Sequence, residues 1–337
     1  MRQGPIAVAC ALFPLLAAAQ SSVTIYGIMD GGVEYVNKQR VGSNLQRVVS
    51  GAESGSRLGY RGIEDLGGGL RAVFTLESGL NIDDGTYAQG GLAFGREASV
   101  GIGGSWGQVT LGRQAPALNM LAVAFDPLGR PSRYSSPTID PLYAGRVNNV
   151  ASYSVTMGSS RFVAEYGFGE VQGSRRAGHY LGAYGSTVLG DLTLGFAYDE
   201  QGGATVALSG DTVKRTSVAT LYRVGVATLG VGFTDRRNEL AAGPTRVSQY
   251  WVGAKAQIAP LWYTAVAYYV ADTRNSPDKA SMLSLLTTYA FSRRTDVYLH
   301  VATTHNSART NLGVTGFATT IAGESQQGVT IGLRHLF

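Results

Sequence analysis

Apolar and polar residues alternate along most of this chain, and the alternation recurs from residue 23 to the last residue. In VTIYGIMDGGVEY, Val23, Ile25 and Val33 share one side, while Asp30 and Glu34 share the other. A period of two residues is typical of a β-strand with one apolar and one polar face. Past Gln20, stretches with the helical period of about 3.6 residues are no longer than a turn or two. The pattern predicts an all-β fold.

The segments that connect the predicted strands alternate between short and long. The short ones include GGSWG, GSS and LGD, and the long ones include NIDDGTYAQGG, GEVQGSRRAG and TDRRNELAAGPT. We count about sixteen strands of roughly ten residues, which is typical of an outer-membrane β-barrel. Because lipid offers the backbone no hydrogen bonds, a spanning sheet must close on itself. The sequence therefore predicts a 16-stranded antiparallel transmembrane β-barrel with short periplasmic turns and long external loops.

The N-terminal stretch MRQGPIAVACALFPLLAAAQ is the one continuous apolar run of the sequence. Arg2 precedes the apolar region, and residues 17–19 form an A-x-A cleavage site, which predicts a signal peptide over residues 1–19. A membrane anchor is the alternative, but it needs about 20 apolar residues and this run is shorter. The barrel domain is then expected over residues 20–337.

Cleavage of the signal peptide would remove Cys10, the single cysteine of the chain. A disulfide framework and cysteine-ligated metals are then excluded from the mature protein. The 28 basic and 23 acidic residues leave a net charge that is too small to indicate nucleic-acid binding by itself. We expect no metal, no cofactor and no nucleic-acid partner.

The chain ends in GVTIGLRHLF, where Val329, Ile331 and Leu333 share one face. An exposed strand edge with an apolar face favours aggregation, so this segment needs a partner on each edge. In a closed barrel the last strand pairs with the first, Val23 to Tyr35. Its apolar face then contacts lipid or a neighbouring subunit.

Two patterns that resemble enzyme motifs lack the required context. GGSWG fits G-x-S-x-G, which in hydrolases places a serine between a strand and a helix. Here GQVTLGRQ, the segment that follows, is another predicted strand. His300 and His305 are an odd number of positions apart on one predicted strand, so they point to opposite faces and are poorly placed to share a metal. The sequence predicts a protein that is not an enzyme.

Five stretches, spread from the mature start to the last residue, are SSVTIYGIMDGGVEY, SRLGYRGIEDLGGGLRAVFTLESGL, FGREASVGI, GQVTLGRQ and the terminal GLRHLF. Together they resemble the general diffusion porins of Gram-negative outer membranes, of the neisserial and beta-proteobacterial type. The resemblance implies an outer-membrane homotrimer whose water-filled channels allow passive diffusion of small hydrophilic solutes and ions. It also implies contact with outer-membrane lipids, including lipopolysaccharide, and with the outer-membrane assembly machinery. The alternatives are a substrate-specific channel or a barrel enzyme.

The longest interruption between predicted strands covers residues 115–149, after the fifth strand, where this family has its third external loop. The resemblance implies that this loop folds inward and narrows the channel. A connection of more than about 30 residues without regular structure is uncommon unless it is functional. Between Asp126 and Asp140 the loop has no acidic residue, but it contains Arg130 and Arg133.

Basic residues are also expected on the wall that faces this loop. The period of SRLGY places Arg57 on the inner face. Arg61 and Arg71 share the polar phase, where a solvated position without influence on ion selectivity is an equal alternative. The resemblance adds Arg96 and Arg146, although the period of FGREASVGI places Arg96 on the outer face. With a basic loop and a basic wall, we expect a mild preference for anions.

Arg113 in LGRQ shares its phase with Val109 and points away from the interior. The resemblance implies that Arg113 lies at the trimer interface and pairs with Asp83 or Asp84 of a neighbouring subunit. It also implies that Phe337, the terminal aromatic residue, is the signal that the outer-membrane assembly machinery reads.

Overall fold

The computed structural model describes residues 22–337, so the predicted signal peptide, residues 1–19, lies outside the described residues. One antiparallel sheet forms a wall of sixteen strands, because the two segments of β2 both pair with β1. The strands are β1 (Ser22–Asn37), β2 (Asn44–Ser50 and Arg57–Gly67), β3 (Leu70–Gly79), β4 (Glu97–Gly104), β5 (Gly107–Gln114), β6 (Val147–Met157), β7 (Ser160–Gly167), β8 (Tyr180–Leu189), β9 (Leu192–Gly202), β10 (Thr212–Val224), β11 (Ala227–Glu239), β12 (Thr245–Ala259), β13 (Trp262–Thr273), β14 (Lys279–Ala290), β15 (Thr295–Asn306) and β16 (Gln327–Leu336).

The sheet is closed, because its last strand pairs with its first. The register runs from Ile28 opposite Leu336 to Val36 opposite Gly328, and β15 covers the other edge of β16. This pairing confirms the antiparallel barrel that the alternation predicts. It also gives the apolar terminal strand a partner on each edge.

The connections are short at one end of the barrel and mostly longer at the other. The turn between β2 and β3 contains Gly68 and Gly69, whose φ angles of 61° and 81° suit a two-residue hairpin. The predicted external loop TDRRNELAAGPT is shorter than expected, because β11 continues to Glu239 and β12 begins at Thr245. Asn238 donates a hydrogen bond to the Thr245 hydroxyl at 2.7 Å, which stabilises the extended hairpin.

The two faces of the wall differ as the alternation predicts. In β1, Val23, Ile25 and Val33 are 64%, 61% and 64% exposed on the outer face. Asp30 and Glu34, on the inner face, are buried. An apolar outer band of this kind is the surface that a transmembrane barrel presents to lipid.

Aromatic side chains pair near the strand ends at the short-turn end of the barrel. Trp106 stacks on Tyr153 with a centroid distance of 6.3 Å, and Trp262 contacts Tyr289 at 5.0 Å. Such residues form the interfacial belts of membrane barrels. Ser105 and Trp106 form the turn between β4 and β5, so GGSWG joins two strands, as predicted.

Helical segments occur in the loops, as α1 (Ala88–Gly91), α2 (Ala117–Phe125), α3 (Ser136–Ile139) and two 3-10 turns, Pro141–Ala144 and Val206–Leu208. Among residues 22–337, no helix combines the length and the apolar character needed to cross a membrane. The last external loop contains a small ladder of Leu312–Gly313 and Gly316–Phe317.

The third external loop, residues 115–146, enters the barrel. Leu118, Leu121 and Phe125 of α2 are fully buried against strands β8 to β11. Gly195 of β9 provides the space, because a Cβ atom at this position would lie 2.3 Å from the Phe125 ring. The inward-folded third loop that the resemblance implies is therefore present.

Candidate pore constriction

The third loop is first held by a tyrosine on β8. The Tyr180 hydroxyl accepts a hydrogen bond from the Ala117 amide at 3.0 Å and donates one to the carboxylate of Asp199 on β9. Glu165 Oε2 on β7 lies 3.1 Å from the same hydroxyl. Two wall carboxylates thus orient the group that receives the start of α2, which fixes the depth of the helix.

Asp126, the residue after α2, is buried and binds three donors. Its carboxylate accepts from the Leu128 amide at 2.9 Å, the Ser136 amide at 3.2 Å and the Tyr269 hydroxyl at 2.7 Å. Asp126 is 2% exposed. Its charge therefore holds the turn after α2 against β13 and does not line open space.

Asp140 fixes the returning part of the loop to the wall. Its carboxylate accepts from Arg215 Nε at 2.8 Å and Nη2 at 3.2 Å, and from Arg236 Nη1 at 3.4 Å. Burial alone would raise the pKa of Asp140, but the charge and hydrogen bonds of Arg215 outweigh burial and hold the pKa below its ordinary value. Asp140 is thus an ionised anchor at neutral pH.

The tip of the loop crosses the barrel to the interruption of β2. The amides of Ser132 and Arg133 donate to the carbonyl oxygens of Glu53 and Ala52 at 3.3 and 3.2 Å. Backbone hydrogen bonds of this kind do not depend on side-chain charge. The break between the two segments of β2 therefore serves as a docking point for the loop.

The charge of Arg133 is partly compensated by a wall carboxylate. Arg133 Nη1 lies 3.5 Å from Glu34 Oε1 on β1, and the Tyr134 hydroxyl donates to the same oxygen at 2.8 Å. Arg47 Nη2 contacts Glu34 Oε2 at 2.6 Å. Glu34 is thus shared by one loop arginine and one wall arginine.

Four arginines come together where the loop faces strands β2 to β4, and we call them the arginine cluster: Arg57 on β2, Arg96 before β4, and Arg130 and Arg146 in the loop. The charges of Arg96 and Arg130 both act on Arg57 and Arg146. Burial and repulsion by Arg96 and Arg130 lower the pKa of Arg146. A guanidinium nevertheless stays protonated at neutral pH, so the cluster carries four positive charges.

Two carboxylates lie beside the arginine cluster. Glu77 Oε1 on β3 is 2.6 Å from Arg96 Nε and 3.9 Å from Arg57 Nη1. Glu97, the first residue of β4, lies within electrostatic range of Arg96 and Arg146. Four guanidiniums beside two carboxylates leave an excess of positive charge at this level of the channel.

The loop arginines of the cluster are held without a carboxylate in direct contact in the described part of the chain. Arg146 Nε donates to the Arg96 carbonyl oxygen at 2.6 Å, and its Nη1 donates to the Gly145 carbonyl oxygen at 2.7 Å. The Nε atom of Arg130 is buried, and among residues 22–337 it has no hydrogen-bond partner. These two charges are therefore the least compensated of the four.

Arg96 enters the interior although the period of its segment places it outside. Strand β4 begins only at Glu97, so Arg96 does not follow the alternation of the strand. Its amide donates to the Glu77 carbonyl oxygen at 3.1 Å, and its side chain turns to the Glu77 carboxylate. Glu77 is a residue of this site that was not predicted, although LRAVFTLE places it on the same polar phase as Arg71.

The other two wall arginines lie closer to the short-turn end. Arg61 is four positions beyond Arg57, about 13 Å along β2. Its guanidinium lies over the Tyr26 ring, 5.5 Å from the centroid. Arg71 is opposite Asp65 in the register of β2 and β3. Both arginines therefore lie on the wall below the arginine cluster.

Arg113 is on the outer face, opposite Ala98 in the register of β4 and β5. Its Nε donates to the Gly95 carbonyl oxygen at 2.8 Å, and its Nη1 donates to the Asn148 side chain. Asp84 accepts a hydrogen bond from the Thr86 amide within the second external loop at 2.9 Å. Asp83, its neighbour in that loop, is exposed.

The terminal residue is joined to the first strand. The Phe337 amide donates to the Gly27 carbonyl oxygen at 3.1 Å, and the Gly27 amide donates back at 3.0 Å. A Cβ atom at Gly27 would lie 2.3 Å from the Phe337 ring. The glycine on β1 thus makes room for the terminal aromatic ring.

Comparison with known proteins supports one family. A profile described as Gram-negative porin matches residues 7–309. The chain is 32% identical to outer membrane porin protein 32 of Delftia acidovorans, and the match covers 100% of both proteins. It is 42% identical to an outer membrane porin protein of Bordetella pertussis over 34% of this chain and 33% of that protein.

Solved structures share the fold. The anion-selective porin from Comamonas acidovorans has a TM-score of 0.83 and 29% identity, and the match covers 94% of this chain and 100% of that one. OmpT of Vibrio cholerae, at 16% identity, has a TM-score of 0.71 over 96% of this chain and 99% of that one. With its closed barrel and its inward third loop, this chain belongs to the Gram-negative porin family and is a channel protein of the outer membrane.

Proposed function

We propose that this porin is a homotrimer that allows passive diffusion of small hydrophilic solutes and ions, with a mild preference for anions. The observation that carries the preference is the arginine cluster, in which Arg57 and Arg96 of the wall side face Arg130 and Arg146 of the loop. Charges at a narrow point of a low-dielectric wall concentrate counter-ions there. The related Comamonas protein is described as anion-selective, which supports the same reading.

Planar-bilayer recording of the purified protein tests this proposal. We expect the conductance of one inserted trimer to fall in three successive steps, one for each subunit. We also expect a reversal potential in a KCl gradient whose sign indicates a preference for chloride. Potassium preference would contradict the anion preference. Single-step closure would contradict the trimer, and current that saturates with one solute at low concentration would favour a substrate-specific channel.

We infer that the protein is not an enzyme. Ser105, the serine of GGSWG, lies in the turn between β4 and β5, without the helix that a nucleophile elbow requires. Incubation of the folded protein with a chromogenic acyl ester tests this inference. Hydrolysis that is lost in Ser105→Ala would contradict it.

We propose that the trimer interface includes Arg113 on one subunit and Asp83 or Asp84 on its neighbour. The position of Arg113 supports this proposal, because its guanidinium lies on the outer face beside the second and third loops, where it is accessible to a neighbouring subunit. Arg113→Ala should lower the temperature at which the trimer dissociates in SDS. Arg175→Ala, in the exposed fourth loop, is the control and should have no effect.

A further inference from the structure

Three arginines surround one aspartate on the outer face of the barrel, near the external end of β11 to β13. Arg237 Nε is 2.9 Å from Asp235 Oδ2, and Arg246 binds both carboxylate oxygens at 2.5 and 2.8 Å. Arg274, in the loop after β13, places Nη2 at 3.8 Å from Asp235 Oδ1. We call Arg237, Arg246 and Arg274 the outer arginine group.

The register places this group at the edge of the lipid-facing surface. Phe233, two positions before Asp235 on β11, is 37% exposed, and Val231 is 49% exposed on the same outer face. On β12, Arg246 is opposite Arg237, and Val252 is 51% exposed below it. Asp235 lies about 7 Å beyond Phe233 along the strand. The outer arginine group therefore begins where the apolar band ends, at the level of lipid headgroups.

The charges of the group are partly compensated and largely accessible. The side chains of Arg237, Arg246 and Arg274 are 56%, 40% and 42% exposed. One carboxylate cancels one of three positive charges. It accepts only three hydrogen bonds from the group, and each guanidinium has five N–H donors, so unused donors remain.

A groove of about 750 Å³ between the sixth and seventh external loops is lined by all three arginines and by Glu239 and Asp278. These two carboxylates are compensated by other cations, since Glu239 pairs with Lys214 at 2.7 Å and Asp278 pairs with Arg309 at 2.9 Å.

A phosphate monoester matches this arrangement. It carries about −1.5 to −2 charges at neutral pH and has three acceptor oxygens, which complements the excess of two positive charges. Guanidinium groups suit phosphate because their planar donors bind it in pairs. Because the group lies on the outer wall directly above apolar side chains, its phosphate would come from a lipid and not from a solute in the channel.

We propose that the outer arginine group binds a phosphate on the headgroup of a glycolipid in the outer leaflet of the membrane. Asp235 offsets only one of the three positive charges and is not itself part of the contact with the phosphate. The acyl chains of the same lipid would lie along the apolar surface of β11 and β12. This site is independent of the channel and of its ion preference.

Native mass spectrometry of the full folded protein in detergent tests the proposal. The probes are lipid A with two phosphates, lipid A from which the phosphates have been removed, and inorganic phosphate. We expect the wild-type protein to bind the bis-phosphorylated lipid at least about tenfold more tightly than the dephosphorylated lipid, because charged hydrogen bonds are the strong ones. The variant R237Q/R246Q/R274Q should lose this difference.

Two further variants separate binding from folding. R40Q/R175Q/R176Q removes three exposed arginines of the first and fourth loops, which take part in none of the ion pairs found among residues 22–337, and it should bind like the wild type. Asp235→Asn breaks the same ion pairs but keeps all three guanidiniums, so it should bind phosphorylated lipid at least as tightly as the wild type.

Three results would overturn the proposal. In the first, R237Q/R246Q/R274Q keeps the preference for phosphorylated lipid. In the second, Asp235→Asn loses the preference, which would indicate a purely structural ion-pair network. In the third, inorganic phosphate displaces the lipid at equal concentration, which would assign the site to a free anion.

Discussion

Arg96 Nε lies 2.6 Å from Glu77 Oε1, and both side chains are buried at the channel wall. The same carboxylate oxygen is 3.9 Å from Arg57. One acid on β3 thus orients two arginines from neighbouring strands and cancels part of their charge. Glu77 therefore sets both the geometry and the net charge of the arginine cluster.

Glu77→Gln should strengthen the anion preference. A unit charge a few Å from the ion path contributes about 1 kcal/mol in water, so the chloride-to-potassium permeability ratio should rise about two- to fivefold. Reversal potentials in a KCl gradient measure this ratio. Glu200→Gln, on the outer face of β9, is the control and should leave the ratio unchanged. A lower ratio in Glu77→Gln would contradict the role of the arginine cluster.

Arg130 and Arg133, three residues apart on the loop, should differ in their effect. The Arg133 charge is partly compensated by Glu34, which also binds Arg47, whereas Arg130 contacts no carboxylate among residues 22–337. Arg130→Gln should therefore lower the permeability ratio for chloride about twofold or more, and Arg133→Gln should change it less. Equal shifts in the two variants would show that Glu34 does not screen Arg133.

Gly195→Ala should loosen the loop. The new Cβ would lie 2.3 Å from the Phe125 ring, and such overpacking costs about 1–3 kcal/mol. We expect lower thermal stability and more frequent conductance fluctuations. Gly185→Ala is the matched control, because a Cβ there meets Phe162 at an ordinary 3.4 Å on the outer face. If both variants have the thermal stability and the conductance fluctuations of the wild type, Gly195 is not needed to hold the loop.

Asp140→Asn should detach the returning part of the loop. Breaking a buried ion pair costs about 3–5 kcal/mol, because Arg215 would keep an uncompensated charge. The pKa of Asp140 is held below its ordinary value, so its stabilisation is present above about pH 4 and is lost as the pH falls through the lowered pKa. The frequency of conductance fluctuations in the wild type should thus stay constant from pH 8 to about pH 4. More frequent fluctuations that begin near pH 6 would indicate that a group other than Asp140 holds this part of the loop.

Removal of Phe337 should harm assembly far more than selectivity. Phe337 packs against Gly27 and pairs with β1 at the end where the barrel closes, well away from the loop. Trimer yield in the outer membrane should fall, while the reversal potential of any assembled protein should match the wild type. Normal yield of the truncated protein would contradict the role of Phe337 as an assembly signal.

Alternation predicted the barrel because a strand shows its two faces directly in the sequence. Arg57 lies in a regular strand, so its inward position followed from period alone. The inward position of Arg96 did not follow from the period, because Arg96 precedes β4 and its direction is set by Glu77 on another strand. A period describes residues inside strands and says nothing about the residue next to one.

The loop was harder to predict than the wall. The sequence located residues 115–149, but Asp126 and Asp140 are anchors whose partners, Tyr269 and Arg215, are far away in the chain. Such pairings arise only when the barrel closes and brings β10 and β13 beside the loop. The local sequence therefore located the charged residues of the loop, but which of their charges are compensated depends on contacts with strands that are distant in the sequence.

We propose that the arginine cluster sets the anion preference at the constriction. The most direct test compares reversal potentials, in one KCl gradient, of the wild type, Arg57→Gln/Arg130→Gln and Arg61→Gln/Arg71→Gln. We predict chloride preference in the wild type, loss of most of it in the first variant and little change in the second, whose arginines lie below the cluster. Potassium preference in the wild type, or equal shifts in both variants, would show that the arginine cluster does not set the ion preference.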